Sequence, residues 1–355
     1  MRVLQVIQQL EPGGAERLVL TLAERLEADG HAIDIASEPG PRAESLGLPD
    51  HALPRRIQRR PHRLPGAAMA IRRAARRSQA NVVHAHNPGM AAAVALATRR
   101  GRRPPALVTA HGVPPEDDTM TARVLRLAGL PVVACGPGVA AGLASGGVEV
   151  RATICNAVSP PPPPADRAAL LRELGLDPAL RLVVSVGRLV HQKHHDLAIG
   201  AFGDVPGAAL VIVGGGPDAG ALDEQVAASG LRDRVRLTGP RDDARAVMGA
   251  ADMLLLPSRW EGLPLVALEA ASAGVPIVAT AVRGVQELFH NGKAARLAPP
   301  DDAPALAAAV RDVLGNDALA TRLVEGARRV ASENDEDQMV QSYLALYEEL
   351  ACRRG

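Results

Sequence analysis

Two acids eight residues apart carry the clearest chemical signal in the chain. The stretch Ser258-Arg259-Trp260-Glu261-Gly262-Leu263-Pro264-Leu265-Val266-Ala267-Leu268-Glu269-Ala270 follows a strand-like apolar run at 252–256. Glu261 falls in the loop at the carboxyl end of that run. Glu269 lies about two helical turns on, so a helix starting near 263 would give the two acids a similar face. Carboxylates offer several acceptor positions and can take hydrogen bonds from hydroxyl-rich ligands such as a sugar or a ribose. A charged loop and a capped helix account for Glu261. They account poorly for Glu269 inside the apolar run LVALEAASAG, because a buried acid needs a partner.

Charges of the opposite sign cluster at Gly187-Arg188-Leu189-Val190-His191-Gln192-Lys193, directly after the strand-like LVVSVG. A glycine turn, an arginine and a lysine at a strand's carboxyl end can neutralise a diphosphate; a solvated basic loop is the plainer reading. Glu11-Pro12-Gly13-Gly14-Ala15-Glu16-Arg17 follows the first strand. Its glycines let a backbone approach a ligand, and the helix start offers N–H groups to an anion. An ordinary strand-to-helix turn fits it too. Gly214-Gly215-Gly216-Pro217-Asp218-Ala219 matches a dinucleotide fingerprint in outline. However, no acid follows the next strand to hold a ribose, so the stretch reads as a tight turn with Pro217 in the first helical turn. Val83-His84-Ala85-His86-Asn87 and Thr109-Ala110-His111-Gly112 end hydrophobic strands. For His84 and His86, strand-end packing and a ligand role are both open. His111, beside a glycine, reads as functional, as a hydrogen-bond donor or general base. No third ligand makes His84 and His86 a metal site, and Glu116-Asp117-Asp118 reads as a helix cap.

The elements that would position these residues alternate strand and helix. Strands are expected at 2–7, 32–36, 81–84, 106–110, 131–135 and 151–155, then at 181–187, 208–213, 234–238, 252–256 and 275–279. Helical patterns run over 14–29, 87–100, 217–230, 263–273 and after 300. This order means parallel sheets covered on both faces. The five prolines at 160–164 interrupt it and read as a stiff linker near 159–165. Two doubly wound halves facing a cleft follow, with the strand-to-helix loops toward that cleft. The helical segment 335–350 carries the only two tyrosines and reads as a docked terminal helix.

The 355 residues, 22% charged and 47% hydrophobic, suit two folded domains and exclude a disordered chain. No eighteen-residue apolar run is free of charge, and no signal-peptide pattern opens the chain. Three scattered cysteines give no zinc motif or disulfide framework, which suggests the cytoplasm. Net charge is +7 over 1–155 and −6 over the rest. Only Lys193 and Lys293 are lysines.

These motifs resemble the retaining glycosyltransferases of family 4, of GT-B architecture, over nearly the whole chain. The acids at 261 and 269 followed by Gly274-Val275-Pro276-Ile277-Val278-Ala279-Thr280 form the signature stretch. The resemblance implies two Rossmann-like domains: 1–160 for the acceptor, 165–334 for the nucleotide sugar, and a terminal helix at 335–355 crossing back to the first. It implies that Arg188 and Lys193 bind the donor diphosphate, Glu269 the ribose and Glu261 the sugar hydroxyls. Gly13, Gly14, Gly187, Gly262, Leu263 and Pro264 complete the donor site, with 283–287 lining it. Glu16, His86 and His111 would meet the acceptor, His111 near the reacting sugar. His111, Arg188, Lys193 and Glu261 form the implied catalytic set, acting by same-face displacement with no metal or other cofactor; a UDP-sugar is the expected co-substrate. The acceptor is expected to be a cell-envelope glycan or lipid intermediate, or a small natural product. Two departures stand out: His194 and His195 where the family has a glycine, and Ala157 in Asn156-Ala157-Val158.

Three functions fit at this stage: glycosyl transfer, a sugar-nucleotide epimerase or hydrolase of the same architecture, and a non-catalytic nucleotide-sugar binder. Residues 51–115 hold thirteen arginines, among them Arg55, Arg56, Arg59, Arg60, Arg72, Arg73, Arg76 and Arg77, and no acid. They suit a solvated face, an acidic acceptor or an anionic membrane surface, the last of which would put a cytoplasmic protein at the inner membrane. Nucleic acid is not expected, because no aromatic residues interleave with them.

Overall fold

A computed structural model describes residues 1–10, 13–40, 43–44, 52–54, 61–99, 103–112 and 117–352. Arg55, Arg56, Arg59, Arg60, Glu11, Pro12 and Glu116 lie outside the described residues. The chain divides into two compact units: Met1–Asn156 with Asp337–Gly355, and Ala157–Glu336.

The first unit is built on six parallel strands: β1 (Arg2–Val6), β2 (Ala32–Ala36), β3 (Val82–His86), β4 (Ala106–Ala110), β5 (Val132–Ala134) and β6 (Val150–Thr153). Their order across the sheet is β2-β1-β3-β4-β5-β6. Every residue of β3 and β4 is buried, as expected for central strands covered on both faces. The helices are α1 (Gly14–Ala28), α2 (Leu64–Arg77), α3 (Pro88–Thr98), α4 (Asp118–Ala128) and α5 (Pro137–Ser145). Helices α2 to α5 pack on one another in sequence order. Small residues allow this: the buried side of α3 is Met90, Ala91, Ala93, Val94 and Ala97.

The second unit holds β7 (Arg181–Val186), β8 (Ala208–Val213), β9 (Val235–Gly239), β10 (Met253–Leu256), β11 (Ile277–Thr280) and β12 (Arg296–Ala298), in the order β12-β11-β10-β7-β8-β9. Its helices are α6 (Arg167–Glu173), α7 (His195–Phe202), α8 (Ala219–Ala228), α9 (Ala244–Gly249), α10 (Leu265–Ala273), α11 (Arg283–Leu288), α12 (Ala303–Leu314) and α13 (Asp317–Glu333). The edge strand β12 was not expected from its three residues, Arg-Leu-Ala. Helix α8 starts at Ala219, so Pro217 stands in the turn before it rather than in its first turn. Helix α10 starts at Leu265 rather than near 263, because Pro264 takes the extended cap position.

The proline segment is neither helix nor strand. It lies along α9: the Ala165 N–H donates to the Ala246 carbonyl at 2.9 Å, and Arg245 donates to the carbonyls of Ser159 and Pro160 at 2.6 and 3.0 Å.

The last helix, α14 (Glu336–Cys352), packs on the first unit. Tyr343 and Tyr347 are fully buried. The Tyr347 hydroxyl meets His84 Nδ1 at 2.7 Å, and the Tyr343 hydroxyl meets Thr109 Oγ1 at 3.1 Å. His84 Nε2 closes the chain on Thr109 Oγ1 at 2.7 Å. Arg151 pairs with Glu349 at 2.6 Å, and Arg25 pairs with Asp337. The docking is therefore specified by directional polar bonds as well as by apolar burial.

Candidate functional site

In the second sheet the winding reverses between β7 and β10, which are neighbours. Loops that leave the carboxyl ends of adjacent strands at such a switch point form the natural ligand crevice of an open α/β sheet. Here those loops are 187–193 and 257–264. They are tied together by the Arg259 N–H, which donates to the Gln192 carbonyl at 2.9 Å, and by Gln192 Nε2, which donates to the Trp260 carbonyl at 3.1 Å.

This tie brings Lys193 and Glu261, 68 residues apart in sequence, to a 2.7 Å ion pair whose side chains are 17% and 6% exposed. The same carboxylate oxygen, Oε1, accepts a hydrogen bond from Ser258 Oγ at 2.6 Å. Ser258 is itself anchored, because its carbonyl accepts from Thr280 Oγ1 at 2.5 Å. Arg188 is exposed, and no carboxylate pairs with it among the described residues.

The glycine-rich turn after β8 turns out to be a bed for this loop. A Cβ on Gly214 would collide with the Gly187 carbonyl, and one on Gly216 with that of Leu189. With those carbons missing, the Leu189 N–H reaches the Gly215 carbonyl at 2.8 Å, and the Asp218 N–H reaches Leu189 O at 3.1 Å. The Lys193 stem packs against Gly187, where an added Cβ would stand 3.4 Å from Lys193 Cγ. His194 adopts the left-handed conformation (φ 52°, ψ 42°) that a glycine takes without cost. A 2.6 Å contact between its Nε2 and Arg259 fixes it there, with Asp196 and Asp301 3.6 Å away. Next to it, burial lowers His195 to about 4. Ala157 is not among the residues with positive φ, so the second departure from the family pattern carries no strain.

Glu269 is buried on α10, and the partner it needs is Arg245 on α9, 3.4 Å away. Because that guanidinium also holds the carbonyls of Ser159 and Pro160, Glu269 is linked through one side chain to the proline segment. Gly284, at the start of α11, lies under the loop: a Cβ there would overlap the carbonyl oxygens of Glu261 and Gly262. Burial raises the Glu287 carboxyl above its ordinary value, against the pull of Arg283. Its buried Oε2 has no hydrogen-bond partner among the described residues.

In the first unit, Gly13 caps α1 and Gly14 begins it. The Glu16 carboxylate folds back so that it fills the space a Gly13 Cβ would need. His111, half-buried at the end of β4, stacks on His86, with His86 Nδ1 3.0 Å from His111 Nε2. His86 Nε2 lies 2.6 Å from Gln5 Oε1 on β1. His86 is fully buried and uses both ring nitrogens. Of the two readings open for His86, the geometry favours packing: with both ring nitrogens engaged, it orients His111. Burial holds His84 at about 3, His111 at about 4 and His86 well below the ordinary value, and neighbouring imidazoles push His84 and His86 further down. All three rings are thus neutral near neutral pH. Neutral rings in series share one proton order. With Gln5 Oε1 accepting, His86 donates from Nε2 and accepts at Nδ1, so His111 carries its proton on Nε2.

Gln5, Ser258 and Arg245 were not singled out from sequence. A polar residue inside the strand run VLQVI was the visible sign of Gln5, and Ser258 stood at the head of the acidic motif. Nothing in its own segment marked Arg245. Among the described residues, no three His, Cys, Asp or Glu side chains group as a metal site.

Two family models match the chain: "Glycosyl transferases group 1" over residues 166–330 and "Glycosyltransferase Family 4" over residues 12–132. The lipopolysaccharide core biosynthesis mannosyltransferase LpsB of Rhizobium meliloti is 32% identical over 207 residues, covering 53% of this chain and 57% of that protein. Matches to the curated relatives span from 19% to 57% of their lengths. Among solved structures, Anabaena HepE in complex with UDP-glucose aligns with a TM-score of 0.85 at 21% identity, over 98% of this chain and 100% of that one. Sucrose-phosphate synthase from Thermosynechococcus elongatus aligns with a TM-score of 0.83 at 22% identity, over 99% of both. Structural likeness at such identities speaks for the fold. With both sheets, their order and the two family models in agreement, the chain belongs to the group 1, family 4 glycosyltransferases and has their GT-B fold.

Proposed function

We propose that the protein transfers a sugar from a UDP-sugar donor to an acceptor hydroxyl with retention of configuration, the acceptor being a cell-envelope glycan or lipid intermediate. The observation that carries this reading is the Lys193–Glu261 pair at the β7/β10 switch point, with exposed Arg188 on the same loop. The domain at 165–334 takes the donor, the domain at 1–160 takes the acceptor, and the helix at 335–355 completes the latter. The UDP-glucose bound to HepE and the lipopolysaccharide core biosynthesis named for LpsB support the donor and acceptor classes.

In this mechanism the bond from the anomeric carbon to the leaving oxygen breaks toward an oxocarbenium-like species, and negative charge grows on the diphosphate. Arg188, Lys193 and loop N–H groups receive that charge, which removes the need for a metal. Glu261 and Glu269 accept hydrogen bonds from sugar and ribose hydroxyls. His111 stands at the reacting sugar in one fixed tautomer. The acceptor hydroxyl attacks from the face the diphosphate leaves, and the departing phosphate takes its proton. The protein works in the cytoplasm. Among the described residues no helix is long and apolar enough to cross a membrane.

The test is calorimetric binding of a panel of nucleotide sugars, followed by product analysis with lipid-linked and small acceptors. Binding of a UDP-sugar and an anomerically retained glycoside are expected. No nucleotide-sugar binding, or an epimerised or hydrolysed sugar with no glycoside formed, overturns the reading.

A further inference from the structure

All four large hydrophobic side chains found exposed among the described residues lie on three neighbouring helices of one unit. Met69 is on α2 (52% exposed), Leu96 on α3 (39%), and Met120 and Leu127 on α4 (60% and 78%). Helix α3 packs between α2 and α4, so their outer sides form one surface.

Charge is distributed over the same surface with one sign dominant. Met69, Arg73 and Arg76 follow one another at i, i+4 and i+7, so they form a single exposed stripe along α2. Met120, Arg123 and Leu127, at i, i+3 and i+7, form a second exposed stripe along α4, with exposed Arg126 beside them. At the end of α3, Arg72 donates to the carbonyls of Leu96 and Ala97, and Arg103 also donates to Ala97, so two guanidiniums converge beside exposed Leu96. The acids on these three helices and their caps are Asp117 and Asp118, at the start of α4. A face built for water alone accounts for the arginines but not for Leu127 at 78% exposure.

We propose that this face docks the protein on an anionic lipid bilayer. Guanidiniums bind phosphate oxygens in pairs, and isolated bulky apolar side chains between them reach the acyl boundary. The charge complementarity commits the surface to anionic lipid over zwitterionic lipid. None of these residues belongs to the donor or acceptor groups named above, so the proposal stands apart from the glycosyl-transfer reading, although a lipid-borne acceptor would agree with both.

The test is co-sedimentation of the full chain with phosphatidylcholine vesicles containing phosphatidylglycerol, against phosphatidylcholine alone, at low and high salt. Binding is expected to the anionic vesicles, weakening with salt. Removing each arginine should weaken binding about fivefold, so Arg73→Ser with Arg76→Ser should weaken it about twenty-five-fold. Met120→Ser with Leu127→Ser should also weaken it, while leaving the salt dependence in place. Thermal melting and nucleotide-sugar binding of both variants should match the parent, showing that the fold is intact. No sedimentation with anionic vesicles at low salt overturns the proposal. So does binding that neither double variant changes, or a solution dimer that Leu127→Ser dissociates while vesicles are left unbound. Loss of donor binding in the parent with vesicle binding retained would sink only the catalytic reading.

Discussion

Lys193 Nζ and Glu261 Oε1 face each other at 2.7 Å, so the cation assigned to the diphosphate is already balanced by the acid assigned to the sugar. The first unit repeats the theme, with the Glu16 carboxylate folded over the Gly13 cap where an anion would dock. On the proposed roles, a donor exchanges partners at these places rather than filling bare charges.

The exchange makes the two halves of the pair respond differently. Lys193→Ala removes a charge-assisted bond and leaves Glu261 facing the phosphates. UDP affinity should fall by about 10- to 100-fold. Glu261→Gln releases the ammonium, so UDP should bind as well as before or more tightly, while the UDP-sugar loses its advantage over UDP. Calorimetry with both ligands decides it; equal losses for UDP in the two variants would contradict the partner exchange.

Glu269 is buried and Arg245, 22% exposed, is its ion-pair partner, so losing the guanidinium weakens the hold on a buried charge. Arg245→Met should lower stability by about 1–3 kcal/mol and free the carbonyls of Ser159 and Pro160. Adding Glu269→Gln should recover part of that loss. Urea unfolding of the single and double variants gives the coupling energy, and strict additivity would mean that the pair is not coupled.

Acid should open the first unit before the second, because three imidazoles with lowered values lie in the first and two, His194 and His195, in the second. Folded His84 and His111 titrate at about 3 and about 4, and His86 is held well down too, all below the unfolded value near 6.5. Their contribution is whole above about pH 6.5. It is lost as pH falls from there toward about 4, because the unfolded chain takes protons that the folded one refuses. Each group adds a slope of up to ~1.4 kcal/mol per pH unit. Tyr343 and Tyr347 report on the first unit, and the single tryptophan, Trp260, reports on the second. The tyrosine near-ultraviolet signal should vanish at a higher pH than the tryptophan emission shift; the reverse order would refute the assignment.

Gly284 supports the acidic loop by lacking a side chain. Gly284→Ala drives a methyl into the carbonyls of Glu261 and Gly262, and the loop must shift. Donor affinity should drop by about tenfold or more, with a loss of stability of about 1–3 kcal/mol. Wild-type affinity in that variant would show that the loop position is immaterial.

Much of this arrangement was legible in the chain because parallel strands write themselves as short apolar runs, and their carboxyl ends mark where ligands gather. The runs at 32–36, 106–110 and 208–213 coincide with β2, β4 and β8. The nearness of Lys193 to Glu261 followed from the same rule. β12 escaped because three residues, one of them arginine, carry no periodicity. Arg245 escaped because a charge on a six-residue helix reads as surface until the fold sets it against α10. The turn at 214–216 was recognised as a turn, but its service to the basic loop depends on a backbone approach between two strand ends that no local pattern encodes. His86 stayed ambiguous because a histidine at a strand end looks the same whether it faces solvent or a second histidine.

Because α14 belongs to the first unit, that body is discontinuous in the chain. During synthesis the ribosome delivers the whole of the second unit before the strip that covers His84 and Thr109 exists. The later body can thus mature while the earlier one waits with polar groups of its sheet uncovered. Trimming the last nineteen residues should therefore damage the half made first, and would leave the half made second able to fold.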